Sequence, residues 1–105
     1  MKLLPTEIAA TLPALYSQES LGMEAIARIK FFTPWSNWTW YATEYDPVDR
    51  LFFGLVEGME TELGYFSLDE MEAIRGPGGL RIERDLHFTP VPLFQCSKRK
   101  QRGEE

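Results

Sequence analysis

Cysteine is almost missing from the chain: Cys96 is the single one in 105 residues, so no disulfide can close within it and no cysteine-based zinc site can be built from it alone. Histidine is as scarce. His87 stands without a second imidazole or a motif-placed nucleophile, so a general-base role would rest on residue type alone. No apolar run approaches the roughly 18 residues that a spanning helix needs, and no membrane partner is expected. The start, Met1-Lys2-Leu3-Leu4, meets Pro5, Thr6 and Glu7 before a long apolar segment develops, which argues against a secretory signal and for a cytoplasmic location. Internal repeats, phosphate loops and metal-ligand spacings are also lacking. No catalytic residue, metal or cofactor is therefore expected.

What is present fits one ordinary domain. With 44% hydrophobic and 26% charged residues, the chain can form a single modest core without staples. Its net charge of -5 hides an asymmetry: residues 1 to 97 hold 7 Lys/Arg against 14 Asp/Glu, while residues 98 to 105 hold 4 against 2. An acidic body repels phosphate backbones over about a Debye length, so only a local basic patch could bind nucleic acid.

The aromatic residues mark the centre. Phe31 to Ser67 holds 11 of the 14, including Trp35, Trp38 and Trp40. Alternation predicts a strand over 25–32 with Ala25, Ala27, Ile29 and Phe31 on one buried face, then a turn at 33–37. A second strand is expected over 38–45, with Trp38, Trp40 and Ala42 facing one way and Thr39, Tyr41, Thr43 and Tyr45 the other. Asp46 to Asp49 is the next turn, and 51–57 the third strand, where Gly54 leaves room for a bulge or a close neighbour. A short fourth strand follows over 63–66. Ser67 and Glu70 make a capping box, with Phe66 and Met71 as its hydrophobic staple, and predict a helix from Leu68 to about Arg75 that buries Leu68, Met71 and Ile74. A first helix is expected near Pro5, presenting Ile8, Leu12 and Leu15 and interrupted at Pro13. Leu80 to Phe88 alternates like an edge strand. The fold class is thus α+β, an antiparallel sheet of about four strands packed by two short helices over residues 1–94, with 95–105 as a polar basic tail expected to be disordered.

After a Leu3-Leu4-Pro5 start, the chain carries Lys30 to Pro34 (KFFTP), Trp38 to Asp46 (WTWYATEYD), Phe52 to Gly58 (FFGLVEG), Glu62 to Glu72 (ELGYFSLDEME) and Gly79 to Pro90 (GLRIERDLHFTP). These stretches give it a resemblance to the small bacterial proteins grouped as domain of unknown function 2958. The resemblance implies one domain in a plasmid, phage or integrative-element setting. It brings no catalytic residue with it.

Candidate binding residues come from charge and ring exposure. Trp35, in a turn beside Pro34, is the tryptophan expected to be exposed, with Arg28, Lys30 and Arg50 near it in sequence. Such a surface could stack bases, although a domain of this size uses most of its rings as core. Arg84, inside Glu83-Arg84-Asp85, suits a structural ion pair or an anion site with Arg81. Lys98, Arg99, Lys100 and Arg102 could anchor phosphate or simply solubilise a tail. Carboxylates at 44–49 and 57–62 read as solvated turns rather than as a cation site. Cys96, beside that basic run, reads as an inert tail thiol. Together these features suggest an accessory module that binds a macromolecular partner, most simply a protein. Single-stranded nucleic acid is the alternative, and a small metal-dependent hydrolase ranks third.

Overall fold

Three hairpin turns fold the aromatic stretch back and forth into an antiparallel meander. The computed structural model describes residues 2–96. Its elements are α1 (Thr6–Ala9), β1 (Ile26–Ala27), β2 (Ile29–Phe32), β3 (Thr39–Asp46), β4 (Leu51–Glu57), β5 (Thr61–Ser67), α2 (Leu68–Ala73), β6 (Glu83–Arg84) and β7 (Val91–Pro92). The main sheet runs β5-β4-β3-β2-β6, and β1 with β7 forms a separate antiparallel pair. The class is α+β as expected, with five strands in the main sheet instead of about four. Among the described residues no helix is long and apolar enough to cross a membrane.

Each face of the sheet has its own core. On the first, Ile29, Phe31, Trp40, Ala42, Tyr45, Phe52 and Phe66 pack with Leu3, Leu4, Leu68, Met71 and Ile82. Phe52 is the hub, with ring centroids 4.7 Å from Tyr45, 5.1 Å from Phe66 and 5.3 Å from Phe31. Burying a side chain of this size stabilises the fold by about 1.5–3 kcal/mol. The second core is smaller: Ala27, Tyr41, Leu55, Leu93 and Cys96, with Phe88 and Val91 against them.

Strict alternation fails at two places, each for a local reason. All four residues expected to be buried between 25 and 31 are buried, but the phase breaks at Arg28, so that Ala27 joins the second core and Ile29 the first. In β3 the register to β4 slips between Ala42 and Glu44, leaving Thr43 as an extra residue whose hydroxyl donates to the Phe53 carbonyl at 3.1 Å. This bulge carries Tyr45 to the Trp40 side, opposite to the expectation that grouped it with Tyr41. Gly54, paired with Ala42 beside the slip, supplies the close approach that its lack of a side chain suggested.

The helices are shorter than the sequence suggests. α1 stops at Ala9 with Pro5 as its N-cap; the Pro13 carbonyl turns to accept the Tyr45 N–H at 2.9 Å, which ties that segment to β3. Ile8 and Leu12 still reach the first core. α2 has the expected cap, the Ser67 hydroxyl accepting the Glu70 N–H at 3.1 Å, and Phe66 and Met71 share the first core. It ends at Ala73, where Ile74 turns extended and is exposed rather than buried. The Arg75 guanidinium donates to the carbonyls of Glu72 and Ile74, closing the helix early.

The expected strand over 80–88 is reduced to Glu83–Arg84, paired with Phe32 and Phe31. Asp85 ends it, because its carboxylate accepts the His87 N–H at 2.9 Å and turns the chain. Beyond β7, the chain continues in a 3-10 turn over Leu93–Gln95 to Cys96, which is only 3% exposed. Cys96 is therefore part of the second core, where the sequence suggested a tail.

Candidate functional site

The residues expected to bind are scattered, and the structure brings only some of them together. Lys30 and Arg84 line a cleft of about 510 Å³ at the end of the sheet, with Phe32, Thr33, Trp38 and His87. β2 supplies Lys30 and Phe32, the loop from Thr33 to Trp38 supplies the hydroxyls, and the Glu83-Arg84-Asp85 run supplies the opposite wall. That loop is held closed by its own hydrogen bonds: the Thr33 N–H donates to the Trp38 carbonyl at 3.0 Å and the Trp38 N–H to the Thr33 hydroxyl at 3.2 Å. Thr33 and Ser36 hydroxyls lie 2.5 Å apart.

Charge in the cleft is mixed. The Lys30 ammonium sits 3.7 Å from the Asp85 carboxylate and 5.9 Å from the centre of the Tyr41 ring, so its charge is partly used within the protein. Arg84 differs. Its Nε is buried without a hydrogen-bond partner, and no ion pair of its guanidinium occurs among the described residues. A buried donor left this way costs about 1–3 kcal/mol unless something accepts from it, and a ligand acceptor would recover that cost. Glu83 lines the same wall, so cations and carboxylates balance there two against two.

Trp38, not Trp35, is the exposed tryptophan. Trp38 is 41% exposed, stacked on Trp40 at 5.9 Å between ring centres and seated against Gly58, where an added Cβ would lie 2.4 Å from the indole. Trp35 packs on the first core and against Gly76. A turn residue beside proline suggested exposure, but the ring folds back under the segment that follows α2.

The remaining candidates lie elsewhere. Arg50 is held by Asp69 at 2.5 Å and Glu72 at 2.8 Å through its Nε and Nη2, which pins the β3–β4 turn to α2. These carboxylates also raise the guanidinium pKa above its ordinary value, the Asp69 hydrogen bond contributing most. Arg28 sits at the break between β1 and β2, outside the cleft, and its buried Nε likewise has no hydrogen-bond partner. Arg81 lines a separate depression with Lys2 and Glu72. Lys98, Arg99, Lys100 and Arg102 lie outside the described residues.

Glu44 and Cys96, expected in a solvated turn and an inert tail, are buried instead. Glu44, 2% exposed, accepts the N–H groups of Tyr16 and Gln18, both at 2.8 Å, so both its oxygens hold a loop in place. Among the described residues no three His, Cys, Asp or Glu side chains gather as a metal site would require. Burial, with Glu57 nearby, pushes the Cys96 thiol up to about 11, so the basic neighbours in sequence do not make it a thiolate. Burial also raises the Tyr41 phenol well above its ordinary value, and that hydroxyl donates to the Cys96 carbonyl at 3.1 Å.

Sequence reasoning missed Trp38, Phe32 and the hydroxyl pair as partners of Lys30 and Arg84. Only the i, i+3 spacing of Thr33 and Ser36 across a proline turn hinted at a structured loop. No curated protein and no solved structure matches the chain. A model of the family described as "Protein of unknown function (DUF2958)" matches residues 3–98, nearly the whole length. The chain belongs to that family of unknown function.

Proposed function

We propose that the protein is a non-enzymatic binding module that receives a segment of a protein partner in the Lys30–Arg84 cleft. The observation that carries this is Arg84: a cation with no ion pair among the described residues, its Nε buried, set beside the rings of Phe32 and Trp38. One anionic group of a ligand would satisfy it, and the adjacent rings would take an aromatic or aliphatic neighbour. The balance of two cations against Glu83 and Asp85 favours a protein segment over a run of phosphates, because a polyanion would gain from Arg84 and be repelled by both carboxylates. The setting we attach to this reading is that of an accessory protein of bacterial mobile elements acting in the cytoplasm.

Tryptophan fluorescence and amide shifts during titration test it with two probes, a blocked peptide carrying one Asp between two Phe residues and an octathymidylate. The peptide is expected to shift the amides of Phe32 to Trp38, to lose that effect in Arg84→Ala, and to change little between about 50 and 200 mM salt. If the oligonucleotide binds instead, with affinity falling about tenfold or more over that range as several phosphate contacts require, the single-strand alternative takes its place.

A further inference from the structure

Strand β5 stands at one edge of the main sheet, paired among the described residues with β4 alone. β5 ends the order β5-β4-β3-β2-β6, and its seven residues pair with β4 without a slip from Thr61 to Ser67. Among the described residues nothing pairs with its outward N–H and C=O groups along that length. Edges are usually blunted by lysine, proline, a bulge or shortness; β5 carries only Glu62 as a charge and has none of these. On the second face Leu63 and Tyr65 stand 40% and 51% exposed. Toward the first face a groove of about 470 Å³ is lined by Trp38, Val56, Met59, Glu60, Glu62 and Tyr65. Met59 is 93% exposed at its rim.

The charges around this edge are of one sign. Glu60 and Glu62 line the groove, Glu19 lies close to Tyr65 on the other side, and Arg50, whose carbonyl accepts the Leu68 N–H just past the end of β5, is engaged by Asp69 and Glu72. We infer that β5 adds an extended, lysine- or arginine-bearing segment of a protein partner as a sixth strand. Main-chain hydrogen bonds would run along β5. Alternate basic side chains would lay their stems over Met59 and Trp38 with their heads at Glu60 and Glu62, and the intervening apolar ones would cover Leu63 and Tyr65. Gly64, with open space where a Cβ would be, leaves the middle of the strand accessible. This surface meets the Arg84 cleft at Trp38, which lines both, and makes no demand on Arg84 itself.

The test uses the full chain and a blocked octapeptide alternating Lys and Val, with a Glu–Val octapeptide as control. Expected are shifts and slowed hydrogen exchange in the Thr61–Ser67 amides, at least fivefold weaker binding in Glu62→Lys and in Glu60→Lys, and weakening as salt rises. Both positions are exposed, and an unchanged far-UV spectrum checks that the variants fold. Equal binding of the acidic control, or binding that leaves the β5 amides unchanged, overturns the inference. So does β5 protection that grows with protein concentration in the absence of peptide, since the edge would then pair with a second copy of itself.

Discussion

Replacing Gly54 by alanine should be among the most damaging small changes in the protein. A Cβ built on Gly54 would lie 1.8 Å from the Tyr41 carbonyl oxygen, 2.8 Å from its carbon and 3.0 Å from the Ala42 Cα. Real Cβ atoms essentially never approach closer than 3.0 Å, so that oxygen must recede by about 1.2 Å, the difference between 3.0 and 1.8. All three atoms are backbone of the central strand. β3 cannot yield freely there, because the Tyr41 ring is buried in the second core and its hydroxyl is bonded to Cys96. Overpacking a core typically costs about 1–3 kcal/mol, and a backbone clash in a central strand belongs at the upper end, about 3 kcal/mol. For a domain of this size that is a fall in Tm of about 12–24 °C. Gly64→Ala is the internal control: nothing lies within 4 Å of its Cβ and its φ is not positive, so removing a strand glycine should stabilise by about 0.5–1 kcal/mol. Urea unfolding followed by tryptophan fluorescence and far-UV circular dichroism measures both. If Gly54→Ala unfolds within about 0.5 kcal/mol of the parent protein, the claim that this glycine is fixed by the approach of β3 fails.

Two further outcomes follow from local features. Ser67→Ala should cost about 1 kcal/mol in urea unfolding, since it removes the cap on the Glu70 N–H, while Ser67→Asp should retain most of it; equal stability of all three proteins would show that the cap contributes nothing. Stability should also decline on the alkaline side. Cys96 is raised from 9.0 to about 11 and Tyr41 is raised from 10.0. Above pH 9 the unfolded chain therefore releases protons that the native state holds, and the loss grows as pH rises toward the folded pKa values. Cys96→Ser should flatten the pH 9–11 part of that decline, and an unchanged slope would count against a buried protonated thiol.

The sequence made the meander legible because its strands are dense in rings and β-branched residues and its turns are marked by Pro34, Pro47 and Gly58. Strand β4 runs over the residues expected, and Ser67 caps α2 as the S-x-x-E spacing requires. Period-two reading failed at Thr43, where a bulge shifts the phase without any change in composition and Gly54 is its one outward sign, and at Arg28, where β1 and β2 part into separate sheets. Exposure of single residues was less legible still. Trp35 and Trp38 stand three positions apart in one loop, and what separates them is that Gly76 receives one ring while Gly58 leaves the other on the rim. Cys96 looked like tail because Pro90, Pro92 and the charges after residue 97 dominate their windows; its burial depends on Tyr41 and Leu55, which lie at least 41 positions away in the numbering. The cleft is long-range in the same sense, since Arg84 meets Phe31 and Phe32 only through the β2–β6 pairing.

The second core also has a direction in time. Ala27, Tyr41 and Leu55 belong to segments made early, whereas Leu93 and Cys96, which complete their packing, are made some 40 residues after Leu55. During synthesis the meander can pair as soon as β5 has emerged, yet one of its faces stays uncovered until β7 has come back to β1. Throughout that interval the nascent sheet presents an apolar face beside an open β5 edge, the combination that invites aggregation or a chaperone. A chain stalled or truncated before Leu93 should therefore be a client of the quality-control machinery, although every strand of its meander has already been made.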